Sequence, residues 1–237
     1  DQIHASIYDI LFQVINGSLP PIFTHNEAMQ SQIAAAVDTL KRGGVVGIPT
    51  DTLYGLAACV FDQDAVQRVF ELKGRPANMP IPILLADTSD LESCVKETPD
   101  AAFDLADRFW PGALTLVLKK SAAIPDIISA GGDTVAVRVP NHPVPRQLVK
   151  GLGAPVTGTS ANRSGQSGLT GATAVREIFG EELELVIDAG EITGGVASTV
   201  LDLSGGVPVL LRQGAVSSEE IEAILGEKLS RETGPVS

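Results

Sequence analysis

The sequence predicts an α/β fold, a single domain built on a mixed β-sheet, and three observations carry that prediction. From Asn26 onward, apolar residues at helical spacing alternate with short apolar runs that end at Pro or Gly. Hydrophobic residues make up 44% of the 237 positions and charged residues 19%, which is enough apolar material for a sizeable core. Ser204-Gly205-Gly206 joins two apolar runs as a hairpin would, so antiparallel neighbours accompany the parallel ones that helix-to-strand steps favour.

Residues 1–25 read as an N-terminal extension, with an apolar stretch at 7–12 that suits a short helix and a linker at Pro20-Pro21. The chain opens on Asp1 rather than Met, which fits a processed or trimmed product. The main domain is assigned to 26–230 and a tail to 231–237. Asn26 suits an N-cap for a helix that carries Ile33, Val37 and Leu40 on one face and closes at Gly43-Gly44. A strand from Val45 to Pro49 follows. Asp62 caps a second helix bearing Val66, Val69, Phe70 and Leu72. Ile81 to Ala86 reads as a buried strand. Leu91 to Val95 and Ala101 to Trp110 read as helices, the second ended by Pro111-Gly112. Strands are expected at Leu114 to Leu118, Thr134 to Val139 and Pro155 to Thr159. Helices are expected at Pro143 to Lys150 and Ala172 to Phe179. Leu185 to Ile187, Thr199 to Leu203 and Val207 to Leu211 complete the strands. Ser217 caps a last helix running through Leu229, with Glu219 and Glu220 in its first turn.

Composition narrows the chemistry. The formal net charge is −12, which argues against a general nucleic-acid coat but leaves room for one local basic pocket. The two cysteines, Cys59 and Cys94, stand far apart, which excludes a disulfide scaffold and a cysteine-based zinc site. His4, His25 and His142 are scattered, so no multi-histidine metal site is expected. No apolar run reaches the roughly 18 residues of a spanning helix. Without a signal peptide or disulfide framework, a reducing cytoplasm is the expected location.

Five clusters stand out. Pro49-Thr50-Asp51-Thr52-Leu53-Tyr54-Gly55-Leu56 follows a strand, where open α/β sheets place ligand loops. It is equally readable as a turn in which Thr50 and Asp51 satisfy local backbone. Lys73-Gly74-Arg75-Pro76 sits at a helix end. Its cations suit either the helix dipole or a polyanion met by Lys73 and Arg75 together. Arg138 interrupts the apolar strand Val135 to Val139. A buried Arg needs an anion, either an internal acid or a substrate carboxylate arriving in a watery cleft. Gly158-Thr159-Ser160-Ala161-Asn162-Arg163-Ser164-Gly165 places a Ser and an Asn two apart between glycines, which suits phosphate contact by hydroxyl, amide and backbone N–H, or an ordinary turn, and it is not a Walker loop. Ser198-Thr199 opens one strand, and Arg212 ends the next before Gly214.

In this order, the segments PTDTLYGL, KGRP, WPGALTLVLK, DTVAVRVP, TSAN, STVLDL and LLRQG resemble the YrdC/TsaC family of L-threonylcarbamoyladenylate synthases. The resemblance covers about Asn26 to Leu229 and points to the short form, without the linker and extra C-terminal domain of longer members. It implies an open twisted α/β sheet around a concave, positively lined cavity. It also implies a nucleotidyltransferase that joins L-threonine, bicarbonate or CO2, and ATP into threonylcarbamoyl-AMP and pyrophosphate. Mg²⁺ would be carried by the ATP phosphates, with no metal cage in the protein. The product would pass to tRNA threonylcarbamoyl transfer proteins. By motif match, Lys73 and Arg75 are the catalytic phosphate-holding cations, and Thr134, Ser160, Asn162 and Arg212 line the nucleotide side. Thr52, Arg138 and Ser198 line the threonine side, Gly158 offers backbone and Tyr54 shapes the wall. The chain departs from the pattern at Met79, where many members have Asn or Lys, at Leu84, where some have a threonine-touching His, and at Gly168, where some have Ser.

Three other readings compete. A HypF-like carbamoyl transfer protein would need zinc-finger cysteine pairs and an acylphosphatase domain, for which 237 residues leave no place. A non-catalytic module contacting tRNA or double-stranded RNA is weakened by the −12 charge. An inactive α/β domain rests on Met79 and Leu84.

Overall fold

Local capping chemistry sets where several helices start and stop. A computed structural model describes residues 25–76 and 78–231, so the expected features at 7–12 and 20–21 and most of the expected tail lie outside the described residues. The first helix, α1 (His25–Lys41), already contains Asn26, which therefore does not serve as its N-cap. β1 (Val46–Ile48) and β2 (Gly55–Ala57) follow, joined by the loop 49–54. Asp62 accepts from the Ala65 N–H and starts α2 (Gln63–Lys73), and Gly74, in the left-handed region at φ 58, closes it. Next come β3 (Ile83–Leu84), a 3-10 turn at Thr88–Asp90, and the short α3 (Leu91–Cys94). Then α4 (Asp100–Phe109), β4 (Leu114–Lys119), α5 (Asp126–Ser129), β5 (Thr134–Arg138) and α6 (Pro143–Leu152) alternate. The second half holds β6 (Val156–Thr157), β7 (Thr159–Ser160), α7 (Ala172–Phe179), β8 (Leu185–Val186), β9 (Thr199–Asp202) and β10 (Val209–Arg212). Ser217 and Glu220 form a capping box at the start of α8 (Ser218–Leu225). Gly226, at φ 71, stops that helix short of the expected Leu229, and the chain turns into β11 (Ser230–Arg231).

The strands form two sheets rather than the one expected. Four strands run in the order β7-β2-β1-β8, and seven in the order β11-β10-β9-β4-β5-β3-β6. Both are mixed. β4 pairs parallel with β9 and antiparallel with β5, and β9 and β10 form the antiparallel hairpin that Ser204-Gly205-Gly206 predicts. The split occurs at Gly158, inside what the sequence reads as a single strand. Before it, Thr157 pairs with Ile83 of the large sheet; after it, Ser160 pairs with Gly55 of the small one. A Cβ at Gly158 would lie 2.7 Å from Leu84 carbons, so the crossing point has room for glycine only if Leu84 stays put. Thr157 stitches the sheets together by donating its hydroxyl to Leu56 O at 2.8 Å and accepting from Ala58 N at 2.9 Å.

Two apolar clusters back these sheets. Tyr54, Phe70, Trp110 and Phe179 belong to the larger; Ile33, Val37 and Leu40 of α1 meet Val144, Leu148 and Val149 of α6 in the smaller. Each fully buried side chain of this size contributes about 1.5–3 kcal/mol of transfer free energy.

Candidate active site

A cavity of about 160 Å³ opens at the seam between the two sheets. The small sheet and its 49–54 loop contribute Thr50, residues 52–55, Thr159 and Ser160. The large sheet contributes Leu84, Thr115, Arg138 and Arg212, and the segment before β9 adds Ala197 and Ser198. This volume lies below the range typical of drug-sized ligands and suits a small polar molecule such as an amino acid.

The Thr50 hydroxyl shapes the first loop. It accepts from the backbone N–H groups of Thr52 and Leu53 at 3.2 Å and donates to Leu53 O at 2.7 Å. A hydroxyl has one proton, so the 3.0 Å contact between the Thr50 and Thr52 oxygens is donated by Thr52. Tyr54 is wholly buried. Its hydroxyl donates to Gly190 O at 2.9 Å and accepts from Ala189 N at 3.2 Å, which ties the segment leading to Ser198 against the loop. Burial raises the Tyr54 pKa, opposed by the Ala189 N–H. Tyr54→Phe leaves both backbone groups without this partner. It is expected to lower stability by about 1–3 kcal/mol, read as a drop in thermal midpoint, and an unchanged midpoint would show the tie to be dispensable.

Arg138 finds its anion inside the protein. Its Nη2 lies 2.6 Å from Asp51 Oδ1, with side-chain exposures of 7% and 15%. Nε donates to Gly112 O at 2.8 Å and Nη1 to Thr52 Oγ1 at 3.0 Å. The watery-cleft alternative is thereby corrected: the guanidinium is packed and paired. A guanidinium has five N–H donors, so two remain for a ligand after these three bonds. Burial lowers the Arg138 pKa and Asp51 opposes that shift. The sequence reading assigns Asp51 no place in the site, because a carboxylate among hydroxyls reads as a local turn.

Arg212 donates through Nε and Nη2 to Ser198 O at 3.1 and 2.9 Å, and through Nη2 to Ser198 Oγ at 3.2 Å. Ser198 Oγ lies 2.8 Å from Thr115 Oγ1, a lining residue that the sequence reading also passes over. Burial lowers the Arg212 pKa, and the charge of Arg138 adds to the effect. Arg75, half-buried, reaches the cavity with Nη2 on Pro80 O at 3.0 Å. Three arginines against one aspartate leave the seam positively charged in a chain of net charge −12, and that field favours carboxylates and phosphates. No cysteine or histidine lines the cavity among the described residues.

Some expected site residues lie elsewhere. Thr52, Tyr54, Arg75, Arg138, Gly158, Ser160, Ser198 and Arg212 do line the cavity. Lys73 does not project beside Arg75 from an exposed helix end. It is 2% exposed, and its ammonium rests on Ser160 O at 2.6 Å, Asn162 O at 2.9 Å and Asn162 Oδ1 at 3.4 Å. Burial, and after it Arg75, lowers its pKa to about 8. Asn162 also turns inward, donating to Arg163 O and Gln166 O at 2.9 and 2.8 Å. Thr134 opens β5, paired with Lys119, roughly 13 Å of strand before Arg138. Gly168 has a physical reason: Leu53 Cδ1 sits 2.5 Å from where its Cβ would be. Leu84 lines the wall.

The profile of the Sua5/YciO/YrdC family, described as telomere recombination, matches residues 38–214. The chain is 47% identical over 196 residues to the threonylcarbamoyl-AMP synthase of Pyrococcus abyssi, covering 83% of this chain and 58% of that protein. Over 196 residues it is 42% identical to the threonylcarbamoyl-AMP synthase of Bacillus subtilis, covering 82% of this chain and 57% of that one. The structure is similar to that of P. abyssi Sua5 complexed with L-threonine, with a TM-score of 0.82 at 46% identity over 84% of this chain and 58% of that one. The chain thus spans less than two thirds of the length of these relatives. Its motifs, its two-sheet fold and these similarities agree, and the chain belongs to the Sua5/YciO/YrdC family.

Proposed function

We propose that the chain is an L-threonylcarbamoyl-AMP synthase acting on L-threonine, bicarbonate or CO2, and MgATP. The observation that carries this reading is the arginine cluster at the seam, in which Arg138 keeps two N–H donors beside the Thr52 hydroxyl. A planar fork suits the threonine carboxylate. Ser198 lines the same end through its link to Arg212. Arg75, Ser160 and Arg212 face the nucleotide, and Arg75 and Arg212 offset the charge of its phosphates.

The chemistry needs no side-chain nucleophile. The threonine amine adds to CO2 and loses a proton, giving a carbamate. A carbamate oxygen then attacks the α-phosphorus, the bond to the β-phosphate oxygen breaks, and pyrophosphate leaves. This is adenylyl transfer, and positioning plus charge neutralisation supply most of the acceleration. The product would feed threonylcarbamoylation of tRNA through partner transfer proteins in the cytoplasm.

The test is pyrophosphate release with ATP, bicarbonate and each natural amino acid. Release is expected with threonine and to fall to background when threonine or bicarbonate is left out. An equal rate without threonine would sink the reading.

A further inference from the structure

Lys73 and the segment 160–164 are bound to each other in both directions. The ammonium donates to Ser160 O, Asn162 O and Asn162 Oδ1. In return, Ser164 N donates to Lys73 O at 2.7 Å, and Arg163 Nη1 donates to Leu72 O. Helix ends leave their last carbonyls open, and here the segment fills two of them. An ammonium has three donors and no acceptor, so these contacts use all three. Three oxygens converging on one point also require a cation or a multiple donor between them. Gly74, at φ 58, turns the chain just after Lys73, and Arg75 is redirected into the cavity.

We propose that Lys73 is a positioning residue: it latches the 160–164 segment onto the end of α2 and so places the wall from Gly158 to Ser160, leaving Arg75 as the cation of the pair that meets phosphate. Ser160 is held on its other side by pairing with Gly55, so this wall is clamped between α2 and β2. Asn162 carries the effect onward to Gln166 through its amide. Substrate assignments within this inference rest on the synthase reading; the latch does not.

Two experiments test it. In the first, the wild-type protein is treated with an amine-acylating reagent with and without ATP. Lys73 is expected to label on the order of tenfold or more slowly than the exposed Lys41 in both conditions, because the buried amine needs local opening. Labelling of Lys73 at the rate of Lys41, suppressed by ATP, would overturn the latch and make Lys73 a phosphate ligand. In the second, Lys73→Met and Lys73→Arg are compared with Arg75→Ala. Lys73→Met is expected to speed hydrogen exchange across 160–166 without any ligand, on the order of tenfold. It should raise KM for threonine as well as for ATP, with partial rescue by Lys73→Arg, whereas Arg75→Ala raises KM for ATP alone. Unchanged exchange in Lys73→Met, with only the ATP KM raised, would overturn the proposal. If wild-type protein releases no pyrophosphate with threonine, the synthase reading fails, and labelling and exchange still decide the latch.

Discussion

Arg138→Met lowers the thermal midpoint of the ligand-free protein by about 6–20 °C. The substitution strands Asp51, whose side chain is only 15% exposed, and takes a donor from Gly112 O and from Thr52 Oγ1. Removing one partner of a buried pair costs roughly 3–5 kcal/mol, and each kcal/mol shifts the midpoint of a domain this size by about 2–4 °C. Adding Asp51→Asn to the same protein recovers much of the loss, because the uncompensated charge has gone. On the proposed synthase reading, neither variant is expected to regain threonine affinity, since the two spare N–H donors are absent from both. Arg138→Lys is impaired as well, because an ammonium cannot reproduce the planar fork. A midpoint within 2 °C (about the shift of a marginal change) would show that Asp51 does not depend on Arg138.

Arg75→Ala lowers kcat/KM for ATP by about 10- to 150-fold, the equivalent of about 1.5–3 kcal/mol for a charge-assisted phosphate contact. Its protein partners are the carbonyls of Met79 and Pro80, and Pro80 is exposed, so water replaces the lost donor and the fold is kept. The midpoint therefore stays close to wild type, in contrast to Arg138→Met. Wild-type turnover at subsaturating ATP would remove Arg75 from the phosphate site. Arg212→Ala is a less clean probe, because it also releases Ser198.

Features that depend on neighbouring residues were legible in the sequence. Asp62 and Ser217 cap their helices because the N–H groups they satisfy lie three residues on. The hairpin at Ser204-Gly205-Gly206 is local in the same sense. The split at Gly158 was not legible. Pro155 to Thr159 reads as one strand, and only the positions of Ile83 and Gly55, distant in sequence, divide it between sheets. β2 is not read as a strand because Gly55 and Leu56 close a cluster whose Thr, Asp and Tyr read as a loop.

The site divides the same way. Lys73 and Arg75, two residues apart, suggest a common target, but the left-handed Gly74 between them sends one inward and the other to the cavity. Thr115 carried the signal that found Arg138: a polar residue interrupting an apolar strand, buried at 2% exposure. Asp51 carried no such signal, because its partner lies 87 positions away.

That long reach has a consequence for how the protein comes together. Arg138 bonds to Thr52 across 86 positions, and Ser198 meets Thr115 across 83. Contacts so distant along the chain carry a large loop-closure entropy and form only when the surrounding sheet order is in place. The lining runs from Thr50 to Arg212, so no short fragment holds the whole cavity or more than one of its three arginines. During refolding, secondary structure in α1, α2 and α8 can return early, while the arginine cluster waits for β4 to find β9 and for the chain at Gly158 to cross between sheets. Recovery of ligand binding is therefore a late event, a reporter of completed topology rather than of collapse.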